Sequence, residues 1–479
     1  MLGKYIDLIQ GYAKENYRKC FREPQGKFKY PCIVPGATYS YQLWDWDSWL
    51  TDIAIAKIAE GEDIIAYEQG CILNFLDSID EEGRIPINII ADRESRFDLK
   101  PNVETNIHKP CLAQHALFVA KKNKTDVTWL KDKFEILERF VAWYSNHSYH
   151  KETGLYFWMT DFAIGVDNDP CVFYRPNKST GAIFLNCLMY GELCAMQQLC
   201  LLLECGKAQE YAEKAATLKR AIQNECWDEK DGFFYSADIL LHPIDPNEWL
   251  HSGGVRHWKS LPMRMGVWAG FLAMYYGIAT KEQAERMVKE HYKNERTFCA
   301  PYGVRSLSKA ETRMYAIKST GNPSCWLGPI WGNCNYMVFQ GLLRYGYVKE
   351  AKELAQKTVL VFGKDVEKNG AFHEYYDPET GEGIRNKGFQ SWNLLSYNMA
   401  EWLKENPKQN IVIKGYADEQ TGTSDYNMEL SRQRAQNVYD ALIDYGINAN
   451  RLSIQAEGSN TQLYDTNDWN RIVIFTPAK

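Results

Sequence analysis

Two acidic residues stand apart from the rest in this 479-residue sequence. Asp167 lies in GVDNDP, between Gly165 and Pro170, in a turn that precedes a long helical pattern. Glu374 lies in AFHEYYDPETG, between a glycine turn and a Tyr-Tyr pair. One carboxylic acid to protonate a leaving oxygen and one carboxylate to activate water or attack carbon are what glycoside hydrolysis needs. Acidic residues number 61 and mostly belong to a solvated surface, so residue type alone decides nothing. As plain structure, Asp167 is a helix N-cap and Glu374 a surface turn, and both readings stand beside catalysis. There is no Ser/His/Asp arrangement, no phosphate-binding glycine loop and no Cys/His cluster with zinc spacing. Neither a metal nor a cofactor is therefore expected.

Residues 1–406 must position these groups, and their hydrophobic period is almost purely helical. Helices are expected near 5–19, 46–60, 63–80, 110–122, 126–147, 180–205, 208–227, 265–278, 280–292, 331–347, 348–369 and 389–406. Short links join them into five successive hairpins, and the last helix is left to pair with the first. Six hairpins closing in a ring make a mainly α (α/α)6 toroid. An α-solenoid would instead carry a repeated sequence motif, which is absent here. The links between hairpins are long and rich in Trp, Asp, Gly and Pro: WDWD at 44–47, NIHKP at 106–110, GVDNDP at 165–170, LPMR at 261–264, WLGPIWGN at 326–333 and HEYYDPETG at 373–381. In a ring of hairpins all six emerge at one end, forming an aromatic, acidic funnel on a rigid scaffold.

Composition limits the partners. The formal charge is −6, with Lys+Arg 55 against Asp+Glu 61 and no basic block, which argues against nucleic acid or an anionic membrane. Aromatic residues make up 14%, and their faces suit sugar stacking and core packing equally. The richest apolar stretch, around 187–203, is interrupted by Glu192, Gln197 and Gln198 and reads as a buried helix, not a membrane span. Lys4, Asp7 and Lys14 break the N-terminal apolar pattern, so no signal peptide is expected. With an odd count of 13 cysteines and no framework, a reducing cytoplasm is the expected compartment.

The segments QLWDWDSWL (42–50), GVDNDP (165–170), APYGVRSLS (300–308), WLGPIWGNCNY (326–336), LLRYG (342–346) and FHEYYDPETG (372–381) resemble, in order, those of glycoside hydrolase family 63 and its bacterial relatives, the (α/α)6 glucosidases and mannosylglycerate or glucosylglycerate hydrolases. The resemblance implies inversion, with Asp167 as general acid and Glu374 as general base acting on a small α-glucosyl or α-mannosyl substrate. It also implies that Trp44, Trp46 and Asp47 line the −1 sugar pocket, that Trp326 and Trp331 form aromatic walls, and that Gln390, Trp392 and Arg175 face substrate. Core packing for each Trp, a helix cap for Asp47 and a surface site for Arg175 remain alternatives. The sequence departs from the family at His108-Lys109-Pro110-Cys111 and Trp326-Leu327-Gly328-Pro329. Lys109 could pair with an anionic aglycone such as glycerate, or be a solvated surface lysine. The short loop after Asp167 predicts a pocket that is open or closed by a partner chain.

After residue 410 cysteines disappear, and a short β run, a helix and two alternating stretches suggest an α+β unit over 407–479. The stretch from IVIKGYADEQTG to NRIVIF resembles the outer-membrane protein A-like, peptidoglycan-associating domain, lacking its usual first strand. That resemblance implies ligand contacts at Asp418 and Arg434, and MAEWLKENP (399–407) could serve as a helix of both units. A non-catalytic protein acting through this peptidoglycan-binding unit is the rival to a glycosidase. A lyase performing β-elimination, with His108 or His373 recruited as base, is a third reading.

Overall fold

The computed structural model describes residues 2–242, 256–318, 324–406, 411–444, 447 and 449–477. The start of the expected α+β unit at 407–410 lies outside the described residues, as does Gly446, whose residue type reads as the stop of the helical pattern before it. The chain divides into two compact units, Met1–Gly341 with Leu354–Ala400, and Leu342–Glu353 with Glu401–Lys479.

The expected helices form as α1 (Leu2–Asn16), α2 (Asp45–Ile58), α3 (Ile65–Leu76), α4 (Leu112–Lys122), α5 (Phe134–His147), α6 (Ile183–Leu203), α7 (Ala208–Glu225), α8 (Leu272–Tyr275), α9 (Lys281–Arg286), α10 (Gly332–Arg344), α11 (Val348–Asn369) and α12 (Leu395–Glu405). They build an (α/α)6 toroid. The first helices of the pairs pack on one another in turn: α2 on α4, α4 on α6, and α6 on α8. Gly341 of α10 lies against Met274 and Tyr275 of α8, and Gly332 at the start of α10 lies against Asn393. The 3-10 turn Ser391–Leu394 before α12 then packs on α2 and closes the circle. The inner position of α6 explains its strongly apolar character, because nearly every side is covered. Its Glu192 is not a solvent-facing interruption. It is fully buried and accepts the Ala113 and Gln114 amides at 2.8 and 3.2 Å, closing the N-terminus of α4. Burial pushes its carboxyl up to about 8.

The fourth hairpin differs from expectation. A helix over 265–278 shrinks to a 3-10 turn, Trp268–Phe271, and the four residues of α8. Gly270 explains why this segment lies so close to its neighbour: a Cβ there would stand 2.4 Å from the Phe233 ring and 2.6 Å from the Phe234 carbonyl. Pairs of two- and three-residue strands also link the hairpins, which the helical period gave no means to foresee. One of them joins Gln42–Trp44 to Asn88–Ile90, fixing the entry into α2. Among the described residues no helix is long and apolar enough to cross a membrane.

In the second unit, strand Ile411–Tyr416 is central, parallel to Leu452–Gly458 and antiparallel to Val473–Pro477. Helix α13 (Ser424–Asp444) covers the sheet over a small core of Ile413, Ala435 and Leu452. Gly415 permits that approach, since a Cβ there would lie 2.0 Å from the Ser431 carbonyl oxygen.

Candidate active site

The first turn of α2 carries Asp45, Trp46 and Asp47, all buried. Asp45 accepts the Lys109 backbone amide at 3.0 Å, and both its oxygens lie 2.9 Å from Lys109 Nζ. Lys109 is therefore not a solvated surface lysine: it is 1% exposed, and its charge is held by Asp45. The Asp167 loop crosses directly over it. Gly165 (φ 88°) has room only for hydrogen, because a Cβ would stand 2.3 Å from Lys109 Cε and 3.4 Å from the Trp46 ring.

That loop is tied down residue by residue. Asn106 Oδ1 accepts from the Met159 amide at 2.9 Å, and its Nδ2 donates to the carbonyls of Thr160 and Phe162 at 2.9 and 2.6 Å. Asn168 Oδ1 accepts the Trp326 amide at 2.7 Å, linking the loop to WLGP. The next helix, α6, begins only at Ile183, so Asp167 is not its N-cap. The local turn is instead closed by Asp169, which accepts the Cys171 amide at 2.8 Å.

Glu374 is 6% exposed, which removes the surface-turn reading. It sits at the base of a hairpin, Tyr375–Tyr376 with Gly383–Ile384, with its amide bonded to the Arg385 carbonyl at 3.0 Å. Asp365 of α11 anchors the hairpin from below, accepting from the His373 amide, from His373 Nδ1 and from Tyr376 Oη at 2.9 to 3.0 Å. Arg305, 2% exposed, grips its tip through Glu379 at 2.8 Å. The returning segment is conformationally costly, with Arg385, Asn386 and Ser391 all at positive φ. Two of these serve the site: Asn386 Nδ2 donates to Glu374 Oε2, and Ser391 Oγ donates to Asp47 Oδ1 at 3.2 Å.

The acidic groups sense one another. Burial pushes the Glu374 carboxyl up to about 7, and the negative charge of Asp167 adds to the rise while Asn386 opposes it. Burial raises Asp167 as well, against a hydrogen bond from Ser324 and the charge of Lys109. Asp47 is held well above the usual carboxylate range by burial, then by Asp45. Tyr39, 3.3 Å from Asn386 Nδ2, has its phenol raised by burial and by Glu374, Asp47 and Asp167 together. Tyr39 thus feels the charge of all three carboxylates. The rise at Glu374 comes first from burial, with the charge of Asp167 adding to it.

Indole rings pack together beside the Asp167 and Glu374 loops. Trp46 lies 5.9 Å from Trp326 and 5.1 Å from Trp392 by ring centroids, and Trp326 stacks on Trp331 at 3.9 Å. Trp331 in turn stacks on Tyr375 at 4.8 Å. Trp44 is half-buried, edge-on to Tyr39 and Phe97. Gln390 is buried, donating to Tyr12 Oη at 3.2 Å. Arg175 is engaged elsewhere, with Asp238 at 2.7 Å and Thr180 Oγ1 at 3.2 Å. His108 is wedged edge-on against Phe75 and Phe140 and held neutral by burial, its pKa down to about 4; His373 is bound to Asp365. Neither histidine is presented as a lyase base. In the second unit Asp418 accepts from Thr421, Asn467 and Arg471, the last at 2.8 Å, while Arg434 donates to the Tyr416 carbonyl at 2.8 Å.

The sequence reading missed Tyr39, Ser324, Asp365 and Asn386. The only signal for Asn386 was its neighbour Gly388 in a turn, and Asp365 looked like any polar residue in a long amphipathic helix. Asp365→Asn replaces one carboxylate oxygen by a donor facing donors. With the hairpin displaced, kcat/KM for glycoside hydrolysis is expected to drop by roughly 10- to 100-fold while the circular dichroism spectrum is kept. An unchanged kcat/KM would show that Asp365 does not position Glu374.

The family model of the mannosylglycerate hydrolase MGH1-like glycoside hydrolase domain matches residues 39–392, and that of the OmpA family matches residues 391–473. The chain is 24% identical to mannosylglycerate hydrolase MGH1 of Selaginella moellendorffii, over 81% of this chain and 86% of that protein. It is 49% identical to outer membrane protein 40 of Porphyromonas gingivalis over 83 residues, which are 17% of this chain and only 22% of that protein. The fold matches the crystal structure of a GH63 mannosylglycerate hydrolase from Thermus thermophilus in complex with glucose, with a TM-score of 0.58, 20% identity, and coverage of 81% of this chain and 99% of that one. It also matches neutral trehalase from Saccharomyces cerevisiae, with a TM-score of 0.56, 18% identity, and coverage of 79% and 74%.

Proposed function

The chain belongs to the mannosylglycerate hydrolase MGH1-like glycoside hydrolase family, and from that premise we propose that Asp167 and Glu374 hydrolyse a small α-glucosyl or α-mannosyl compound with inversion. Asp167 delivers its proton to the glycosidic oxygen as the C1–O bond breaks. Glu374 takes a proton from the water that attacks C1 from the opposite face, leaving Asp167 ionised and Glu374 protonated until solvent resets them. Such a mechanism asks for carboxyl groups about 6.5–9.5 Å apart, with the water between them. Asp47 and Tyr39 hold sugar hydroxyls, and the Trp46, Trp326, Trp331 and Trp392 wall excludes bulk water. The observation that carries this reading is that half-buried Asp167 and buried Glu374 each stand on their own hydrogen-bonded loop, with the charge of Asp167 adding to the rise of the Glu374 carboxyl. Glucosylglycerate, mannosylglycerate, trehalose, kojibiose and nigerose form the panel that tests it. Release of free sugar from at least one is expected, and no release from any of them contradicts the assignment.

The C-terminal unit supports a second, separate activity, because its OmpA-family match includes Asp418 and Arg434. In this reading it retains peptidoglycan, with Arg434 recognising a carboxylate of the peptide. The intact protein is expected to co-sediment with purified peptidoglycan, and Arg434→Ala to reduce the bound fraction at least threefold. No retention, or equal retention by the variant, excludes this partner.

A further inference from the structure

A cavity of about 450 Å³ lies beside the segments that carry Tyr39 and Asn386. Its lining includes Lys19, Arg22 and Lys387 and not one carboxylate. Among the described residues none of these three cations is matched by an acid. Lys19 Nζ donates among them only to Asn16 Oδ1 at 2.6 Å. Arg22 donates to the carbonyls of Ser40, Lys19 and Phe21 through Nε and Nη1, and its Nη2 meets no acceptor among the described residues. Lys387 is exposed and makes no hydrogen bond or ion pair with the described residues. Gln390, 3% exposed, also borders the cavity and gives its amide hydrogen to Tyr12 Oη. Three uncompensated positive charges around a space of small-ligand size attract a multiply charged anion.

We propose that this cavity binds a small phosphomonoester, its phosphate held by Arg22, Lys19 and Lys387. The ligand rests on 37–40 and 387–390, so it braces the two segments from which Tyr39 and Asn386 enter the catalytic centre. The proposal does not depend on the catalytic assignment, since the cavity and its charges stand whether or not Asp167 and Glu374 act as described.

Calorimetric titration of the intact protein with glycerol 2-phosphate, in low-salt buffer free of other phosphate, tests it. Saturable binding at one site is expected, weakened at least tenfold in an Arg22→Gln/Lys387→Gln double variant. Lys387→Gln alone removes an exposed side chain with no partner, keeps the fold, and is expected to weaken binding at least threefold. The proposal is overturned by absence of saturable binding, by equal binding in the Lys387 variant, or by D-glycerate, a monoanion, binding as tightly as the ester.

Discussion

Asp167→Asn is expected to lower kcat on a natural glycoside by roughly 10²–10⁴-fold, which is the contribution of a positioned general acid. In free energy this is about 3–5 kcal/mol of transition-state stabilisation. An amide holds the loop as the carboxyl did, since Asn106, Asn168 and Asp169 supply the anchoring bonds. The loss is therefore one of chemistry and not of fold. It should also depend on the leaving group. An aryl glycoside whose phenol leaves without protonation is expected to recover most of the lost rate in Asp167→Asn, and none of it in Glu374→Gln, where water activation is missing. Equal loss on both kinds of substrate would show that Asp167 is not the acid. The pH profile follows from the pair. The productive form carries one proton on the two carboxyls, and that proton is lost near neutrality, because burial and mutual repulsion push the Glu374 carboxyl up to about 7. The alkaline limb of kcat/KM is expected there, well above where an exposed carboxylate would place it.

The same burial makes Glu374 costly to the fold. Its carboxyl rises from an ordinary value of 4.5 to about 7 on folding. Below pH 4.5 both folded and unfolded chains hold the proton and nothing is lost. As pH rises through the window from 4.5 to 7, the unfolded chain ionises first, and stability falls until the folded carboxyl ionises too. Above that the penalty is constant, on the order of 3 kcal/mol. Glu374→Gln keeps an oxygen for the Asn386 amide and carries no charge. It is expected to be inactive and yet more stable at pH 8, by up to about 3 kcal/mol, with the gain shrinking to about 1 kcal/mol near pH 5. Urea denaturation of the catalytic unit at the two pH values measures both. A variant no more stable than wild type at pH 8 would mean that Glu374 is not a strained, desolvated acid.

The sequence carried the ring because most of its helices advertise themselves by length, period and a polar link, as α6 and α11 do. It failed at α8, where glycine, not helical period, sets the backbone against Phe233. The two carboxylates were legible because each stands in a glycine-bounded loop. What holds them was not. Asp365 reaches Tyr376 and His373 from another helix, and Asn386 reaches Glu374 from a backbone conformation that no local pattern announces. Lys109 was misplaced for a related reason: a lone lysine in a loop reads as solvated until its distant partner, Asp45, is seen. Contacts made across the ring carry no period, so they are invisible to pattern and apparent only in three dimensions.

The most direct test of the central claim is the configuration of the first sugar released. With an α-glycoside as substrate and wild-type protein, proton NMR recorded within the first minutes, before mutarotation, is expected to show the β anomer in excess. An excess of the α anomer would mean that Glu374 attacks carbon directly or plays no part, and would contradict the account of an acid and a water-activating base on opposite sides of one sugar.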